Sequence, residues 1–234
     1  MAPKKIIAFD LYGTLLSTES VADDLSMIYG NKAKSIAAQW RTLQLEYTWR
    51  INSMGEYKSF SEITRSALGH AVADHGLTLQ PQDAHNLMRS YDTLHAFPEI
   101  PVALDLLQKH KDAIDAYIFT NGTSEMVENS IKTSLGPSAD IFRSVISVDA
   151  VQCFKPDPRT YSHLLDRVGK KGHPEDVWLM SCNPFDVLGA KSSRLKAAFI
   201  DRTGKGWIDR LDEMQPPSIV AKSVEEAIQA ILDY

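Results

Sequence analysis

The chain has 234 residues, 44% of them hydrophobic and 24% charged, with a formal net charge of −5. Such a composition builds one large core, or a core with a modest second lobe, and excludes extended disorder. The acidic balance leaves no electrostatic footprint for nucleic acid, and no apolar run approaches the roughly 20 residues of a membrane span.

Two cysteines, Cys153 and Cys182, are too few for a disulfide framework. The chain enters a strand almost at once, without the pattern of a signal peptide, so a cytoplasmic protein is expected.

The first predicted element is the apolar run at 6–9, a buried strand that ends on Asp10-Leu11-Tyr12-Gly13-Thr14. A carboxylate leaves the strand there, and Gly13 lets the backbone turn back over it. Open α/β sheets gather their chemistry at that edge. Many enzymes with Asp-x-Asp-Gly-Thr use two carboxylates at this point for phosphoryl transfer. Tyr12 replaces the second one, which leaves Asp10 as a lone nucleophile and points away from phosphate chemistry.

Residues 16–97 hold helical patterns, such as Ala84, Leu87, Met88 and Tyr91, and no convincing strand. The segment is far too long for a crossover helix. It is expected to be an all-helical cap inserted after the first strand, with 1–15 and 98–234 forming the α/β core.

Four further buried runs follow at 116–119, 145–148, 177–180 and 197–200. Their continuous hydrophobicity suits a parallel sheet covered on both faces. Helical periods alternate with them. Tyr161, Leu164, Leu165 and Val168 follow Asp157 as a cap and Pro158 at the first helical position. Val127 and Ile131 repeat before Gly136-Pro137, and Ser223 with Glu226 predicts a capping box. The alternation implies a doubly wound, Rossmann-like fold. Parallel strands aim their C-terminal ends at one crevice, so Asp10, Thr120, Lys155 and Asp186 are expected to be neighbours.

Together these segments resemble the haloacid dehalogenase superfamily, and within it the L-2-haloacid dehalogenases, over essentially the whole chain. The resemblance rests on Phe-Asp-Leu-Tyr-Gly-Thr at 9–14, Trp40-Arg41 followed by Gln44-Leu45-Glu46-Tyr47-Thr48-Trp49, and Thr120-Asn121-Gly122. It continues through Lys155-Pro156, Tyr161 and Ser-x-Asn-x-x-Asp at 181–186. It implies a hydrolase of short 2-haloacids that uses no metal or cofactor, and it allows a homodimer.

In that chemistry Asp10 displaces halide from carbon, and water then cleaves the resulting ester. A carboxylate is already an anion at neutral pH and needs no base, only aim and desolvation. Lys155 would hold Asp10 ionised, with the Thr14 and Tyr161 hydroxyls orienting the pair or serving a purely structural role. Arg41 would meet the departing halide or the substrate carboxylate, and a surface arginine is the plain alternative. Asn183 is a neutral donor for halide, and Phe60 offers a ring edge or simply cap core. Thr120, Asn121 and the amides of Leu11 and Tyr12 would receive the substrate carboxylate. Asp186, supported by Ser181, would activate water, or else cap the helix that follows.

Leu45 and Phe185 complete the expected substrate pocket. Phe185 stands where tryptophan is usual, Thr42 where glutamine is, and Thr120 and Cys182 where serine is common. Those departures bear on substrate range. With Tyr12 and Ser181 both non-acidic, a magnesium site has lost its carboxylates. The rival readings are a metal-dependent phosphatase of the same superfamily and a non-catalytic scaffold.

Overall fold

A computed structural model describes residues 3–234. Six parallel strands form one sheet: β1 (Lys5–Phe9), β2 (Ile114–Thr120), β3 (Phe142–Ser147), β4 (Val177–Ser181), β5 (Lys196–Ile200) and β6 (Ile219–Ala221). Their order is β3-β2-β1-β4-β5-β6. The winding direction reverses between β1 and β4, so the crevice at the topological switch point opens between the ends of these two strands. The first strand is buried from Ile6 to Phe9, and Val177–Ser181 of β4 is buried throughout. This continuous burial on both faces explains the unbroken apolar runs.

Three departures from the sequence expectation have physical reasons. The third strand starts earlier than the apolar run, at Phe142, and stops before Val148, which opens a 3-10 turn. It is an edge strand, half-exposed at its start, where Arg143 pairs with Asp115 at 2.9 Å. The sixth strand, only three residues long, carries no periodicity that a sequence could display. Ser223 accepts the Glu226 N–H at 3.1 Å, but the Glu226 carboxylate reaches back to the Lys222 N–H, so the expected reciprocal box is only half made.

Helices cover both faces of the sheet. On one side α5 (Ile100–Lys109) packs on α9 (Val224–Asp233), and on the other α7 (Pro158–Arg167) packs on α8 (Pro184–Ser192). Asp157 caps α7 by accepting the Arg159 N–H at 2.9 Å, and Pro158 takes the first helical position. The remaining core helix, α6 (Ser124–Ser134), carries Val127 inward.

Between β1 and α5 lie four helices: α1 (Val21–Tyr29), α2 (Ala33–Met54), α3 (Phe60–Asp74) and α4 (Pro81–Ser90). The long α2 packs against α1 and α3 through Ile36, Trp40, Leu43 and Ile51. Burying Trp40 completely satisfies its indole N–H, which donates to the Thr64 carbonyl at 2.8 Å. A full capping box starts α3, with Ser59 and Glu62 exchanging hydrogen bonds. The segments entering and leaving this helical layer pair with each other: Ser17 N–H donates to the His95 carbonyl at 2.8 Å and Phe97 N–H to the Leu15 carbonyl at 3.2 Å. No helix among the described residues is long and apolar enough to cross a membrane.

Candidate active site

Asp10 follows the last residue of β1, and its N–H donates to the Met180 carbonyl of β4 at 3.0 Å. Gly13 turns the chain at a φ of 88°, a left-handed conformation that an L side chain resists. The turn brings Thr14 back beneath the carboxylate. Asp10 Oδ2 accepts from Thr14 Oγ1 at 2.8 Å, Asn183 Nδ2 at 2.7 Å and Ser181 Oγ at 3.2 Å. Its other oxygen, Oδ1, accepts from Lys155 Nζ at 3.1 Å. Three neutral donors therefore pin one oxygen, while a cation faces the other.

Lys155 is 1% exposed. Its ammonium donates to Asp10 Oδ1, to Asp186 Oδ2 at 2.9 Å and to the Phe119 carbonyl at 2.7 Å, and it lies 4.1 Å from the Phe119 ring centre. A charge this deeply buried persists only with full pairing. The ammonium sits where two buried carboxylates meet, which is the place a cation would take. Tyr12 and Ser181 offer no further carboxylate there, so the residues present do not fit a magnesium ion.

Asp186 is fully buried in the first turn of α8. It does not cap that helix; Asn183 holds the cap position. Instead its Oδ1 accepts from Tyr161 OH at 2.8 Å. Burial pushes the Asp186 carboxyl up to about 6, with Lys155 opposing the shift and Asp10 adding to it. The Tyr161 phenol is held well above its ordinary value, by burial and then by Asp186, so it remains a donor. Two expected partnerships are thereby corrected. Tyr161 orients Asp186 rather than Lys155, and Ser181 supports Asp10 rather than Asp186. Gly189 makes the first possible: a Cβ there would collide with the Tyr161 hydroxyl.

The cap contributes from above. Arg41 on α2 donates through Nη2 to the Tyr12 carbonyl at 3.3 Å and to Asn183 Oδ1 at 3.4 Å. Burial lowers its pKa, and Tyr91 and Asp10 act in the opposite direction. Its Nη1 donates to Gln44 Oε1 at 2.7 Å, Gln44 Nε2 to Thr64 Oγ1 at 2.6 Å, and Thr64 to the Phe60 carbonyl at 2.7 Å. This relay of buried groups fixes Arg41 and Phe60 together. The Phe60 ring stacks on Tyr12 at 5.8 Å and 22°, so it is both cap core and site wall. Leu45 is half-buried one turn beyond Arg41.

The other expected residues divide. Thr120 is buried, but its hydroxyl accepts the Gly122 N–H at 3.1 Å; Asn121 Oδ1 accepts the Lys155 N–H at 3.0 Å. Thr120 shapes the turn after β2, and Asn121 holds the loop that carries Lys155. The Leu11 N–H takes no protein acceptor among the described residues. Phe185 packs edge-on against Trp49, 5.5 Å between ring centres, and lines an outer groove with Asn52 and Pro156. Thr42 is exposed on α2 and bonds to the Ala38 carbonyl, so its side chain faces solvent and not Asp10.

Two residues without an assigned role belong to the frame. Gln44 belongs to the segment that follows Trp40-Arg41, and its total burial has no signal in that segment. Arg202 donates to the Thr14 carbonyl at 2.7 Å, the Gly13 carbonyl at 3.3 Å and Glu99 at 2.8 Å, with its guanidinium over Phe97. It braces the turn under Asp10, and its one signal was its position at the end of the fifth strand.

Residues 4–194 match the model of the haloacid dehalogenase-like hydrolases. The chain is 36% identical over 203 residues to haloacetate dehalogenase H-2 of Moraxella sp. (strain B), covering 86% of this chain and 88% of that protein. It is 34% identical over 206 residues to an (S)-2-haloacid dehalogenase of Xanthobacter autotrophicus, covering 88% and 78%. The solved L-2-haloacid dehalogenase of Xanthobacter autotrophicus with chloropropionic acid covalently bound superposes with a TM-score of 0.87 at 28% identity, over 98% of this chain and 99% of that one. An aspartate at a switch-point strand end, an ammonium facing it, a helical layer above and these likenesses converge: the chain belongs to the haloacid dehalogenase-like hydrolases, close to the L-2-haloacid dehalogenases.

Proposed function

We propose that the protein hydrolyses short L-2-haloacids to D-2-hydroxyacids through an ester on Asp10, beneath a helical cap formed by 16–97. The observation that carries this reading is the environment of Asp10, with three neutral donors on one oxygen and Lys155 on the other. A second acid, which phosphoryl transfer would need, is missing at Tyr12.

In the first half-reaction an Asp10 oxygen attacks C2 from the side opposite the halogen. A C–O bond forms while the C–X bond breaks, and the halide leaves with the bonding pair. Backside attack inverts C2. Arg41 meets the developing halide, and Asn183, which bridges Arg41 and Asp10, and the Phe60 ring edge add to that stabilisation. The Leu11 and Tyr12 amides face the substrate carboxylate, and Leu45 bounds its alkyl end.

In the second half-reaction Asp186 takes a proton from water, and the hydroxide attacks the Asp10 carbonyl carbon. The tetrahedral intermediate expels the hydroxyacid oxygen, which takes up a proton, and the Asp10 carboxylate returns. Lys155 offsets the charge on both carboxylates throughout. The stereochemistry set by the first step persists, because the second breaks no bond to C2. A base with a carboxyl near 6 is ready at neutral pH.

The test is halide release from L-2-chloropropionate and haloacetate, with and without chelator. Release unaffected by chelator is expected, with D-lactate as the chloropropionate product. Absence of halide release beside magnesium-dependent phosphate release would replace this reading with a phosphatase.

A further inference from the structure

Asn52 lies eleven positions beyond Arg41 on α2, three helical turns and about 16 Å along the axis. Both therefore share one face of the helix. While Arg41 reaches the ends of β1 and β4, Asn52 reaches the loop after β3. Its Nδ2 donates to the Phe154 carbonyl at 2.7 Å, and its Oδ1 accepts the Phe154 N–H at 3.0 Å. The side-chain amide thus pairs with both backbone groups of the residue preceding Lys155, as a neighbouring strand would. In the same peptide group as the Phe154 carbonyl, the Lys155 N–H is held by Asn121. Phe154 is fully buried, stacked on Tyr57 at 5.4 Å and tilted against Phe60 at 6.1 Å.

We propose that Asn52 is a positioning residue, the cap group that fixes the backbone of Lys155 and so places its ammonium between Asp10 and Asp186. The reasoning is geometric. A lysine has four rotatable side-chain bonds, and it reaches both carboxylates and the Phe119 carbonyl only from one backbone placement. Two hydrogen bonds from one rigid amide fix that placement more tightly than packing of Phe154 alone. The clasp also makes the charge balance of the core depend on seating of the cap. It rests on the reading of Asp186 as the base, and it is testable without that reading.

The groups facing this ammonium are Asp10 from β1, Asp186 from α8 and the Phe119 carbonyl and ring from β2, with Tyr161 of α7 against Asp186. Loosening Lys155 removes an opposite charge from Asp186 and raises its carboxyl pKa. The experiment follows the Asp186 carboxyl by carbon NMR in the full chain labelled at aspartate, assigned by its loss in Asp186→Asn. In Asn52→Ala the titration midpoint is expected to rise by about half a unit to one unit. Asn52→Gln keeps the amide one methylene displaced, so it should shift the same way by less, and it decides the matter if the alanine variant does not fold.

Tyr57→Phe is the control, since Tyr57 OH bonds to Asp149 across the same seam without touching the Lys155 backbone. It is expected to leave the midpoint in place. Halide release from L-2-chloropropionate should fall about tenfold in kcat for Asn52→Ala with KM little changed. An unmoved midpoint in both Asn52 variants, or an equal shift in Tyr57→Phe, overturns the proposal. Loss of all halide release in the unaltered chain would overturn the dehalogenase reading, while the titration still decides the role of Asn52.

Discussion

The core half and the cap half of the site are built by different means. On the core side Asp10 and Ser181 stand at the ends of parallel strands and Lys155 on the loop after β3, and the strand order brings Lys155 Nζ to 3.1 Å and Ser181 Oγ to 3.2 Å from the Asp10 carboxylate. On the cap side Arg41, Gln44, Asn52 and Phe60 ride on helices, and their reach depends on how α2 and α3 pack. The comparison teaches that topology supplies the carboxylate of Asp10 and the donors beside it, whereas helix packing supplies Arg41, the enclosure and the aim. Perturbing the first should remove chemistry; perturbing the second should detune it.

The largest effect is expected at Asp10. Replacement by Asn removes the nucleophile and should lower halide release by at least about 10⁴-fold, with the fold intact by circular dichroism. A variant retaining a tenth of the activity would break the comparison at its root.

Lys155→Met comes next, because it leaves two buried carboxylates face to face. A loss of about 3 kcal/mol is expected from urea unfolding at pH 8, with a smaller loss at pH 5 where Asp186 takes a proton. Equal losses at both pH values would show that the ammonium does not balance those charges.

Asp186→Asn should separate the two half-reactions. One equivalent of halide per enzyme is expected as a burst, followed by turnover slower by about 10²- to 10⁴-fold. In the unaltered enzyme kcat should rise with pH through a limb near 6, because the base works only when deprotonated. For stability the sign is opposite. The folded carboxyl lies above its unfolded value of 3.8, so its contribution is complete below that pH and is lost as pH rises through about 6. A kcat limb near 6 that survives in Asp186→Asn would reassign the base.

Gly189→Ala should push the Tyr161 hydroxyl from Asp186 and cost about 1–3 kcal/mol, read as a lowered melting temperature. Thr42→Gln, on the exposed side of α2, should change stability by less than about 0.5 kcal/mol and leave kcat alone. A larger change in kcat would bring Thr42 back into the site and sharpen the account of the cap.

The same division explains what the sequence disclosed. The sheet and the strand-end residues were legible because short continuous apolar runs that alternate with helical periods suit buried parallel strands, whose ends converge. The partners of Ser181 and Tyr161 were not. A hydroxyl near two carboxylates has no sequence signal that says which one it faces, and the Gly189 gap that admits Tyr161 is visible only in three dimensions. In the cap, Arg41 was found through its motif, whereas Asn52 carried none. Its relation to Lys155 spans more than a hundred residues and arises from the docking of α2. Thr42 shows the converse, since a position beside Arg41 in sequence turns a side chain to solvent on a helix.

The central claim is that Asp10 itself becomes an ester and that water attacks that ester. A single turnover in ¹⁸O-water, with enzyme in excess over L-2-chloropropionate, tests it by mass spectrometry of the peptide holding Asp10 and of the product. The account predicts one heavy oxygen in the Asp10 carboxylate and an unlabelled hydroxyl in the first D-lactate formed. Label in the product hydroxyl, with Asp10 unlabelled, would mean that water attacks carbon directly and would contradict it.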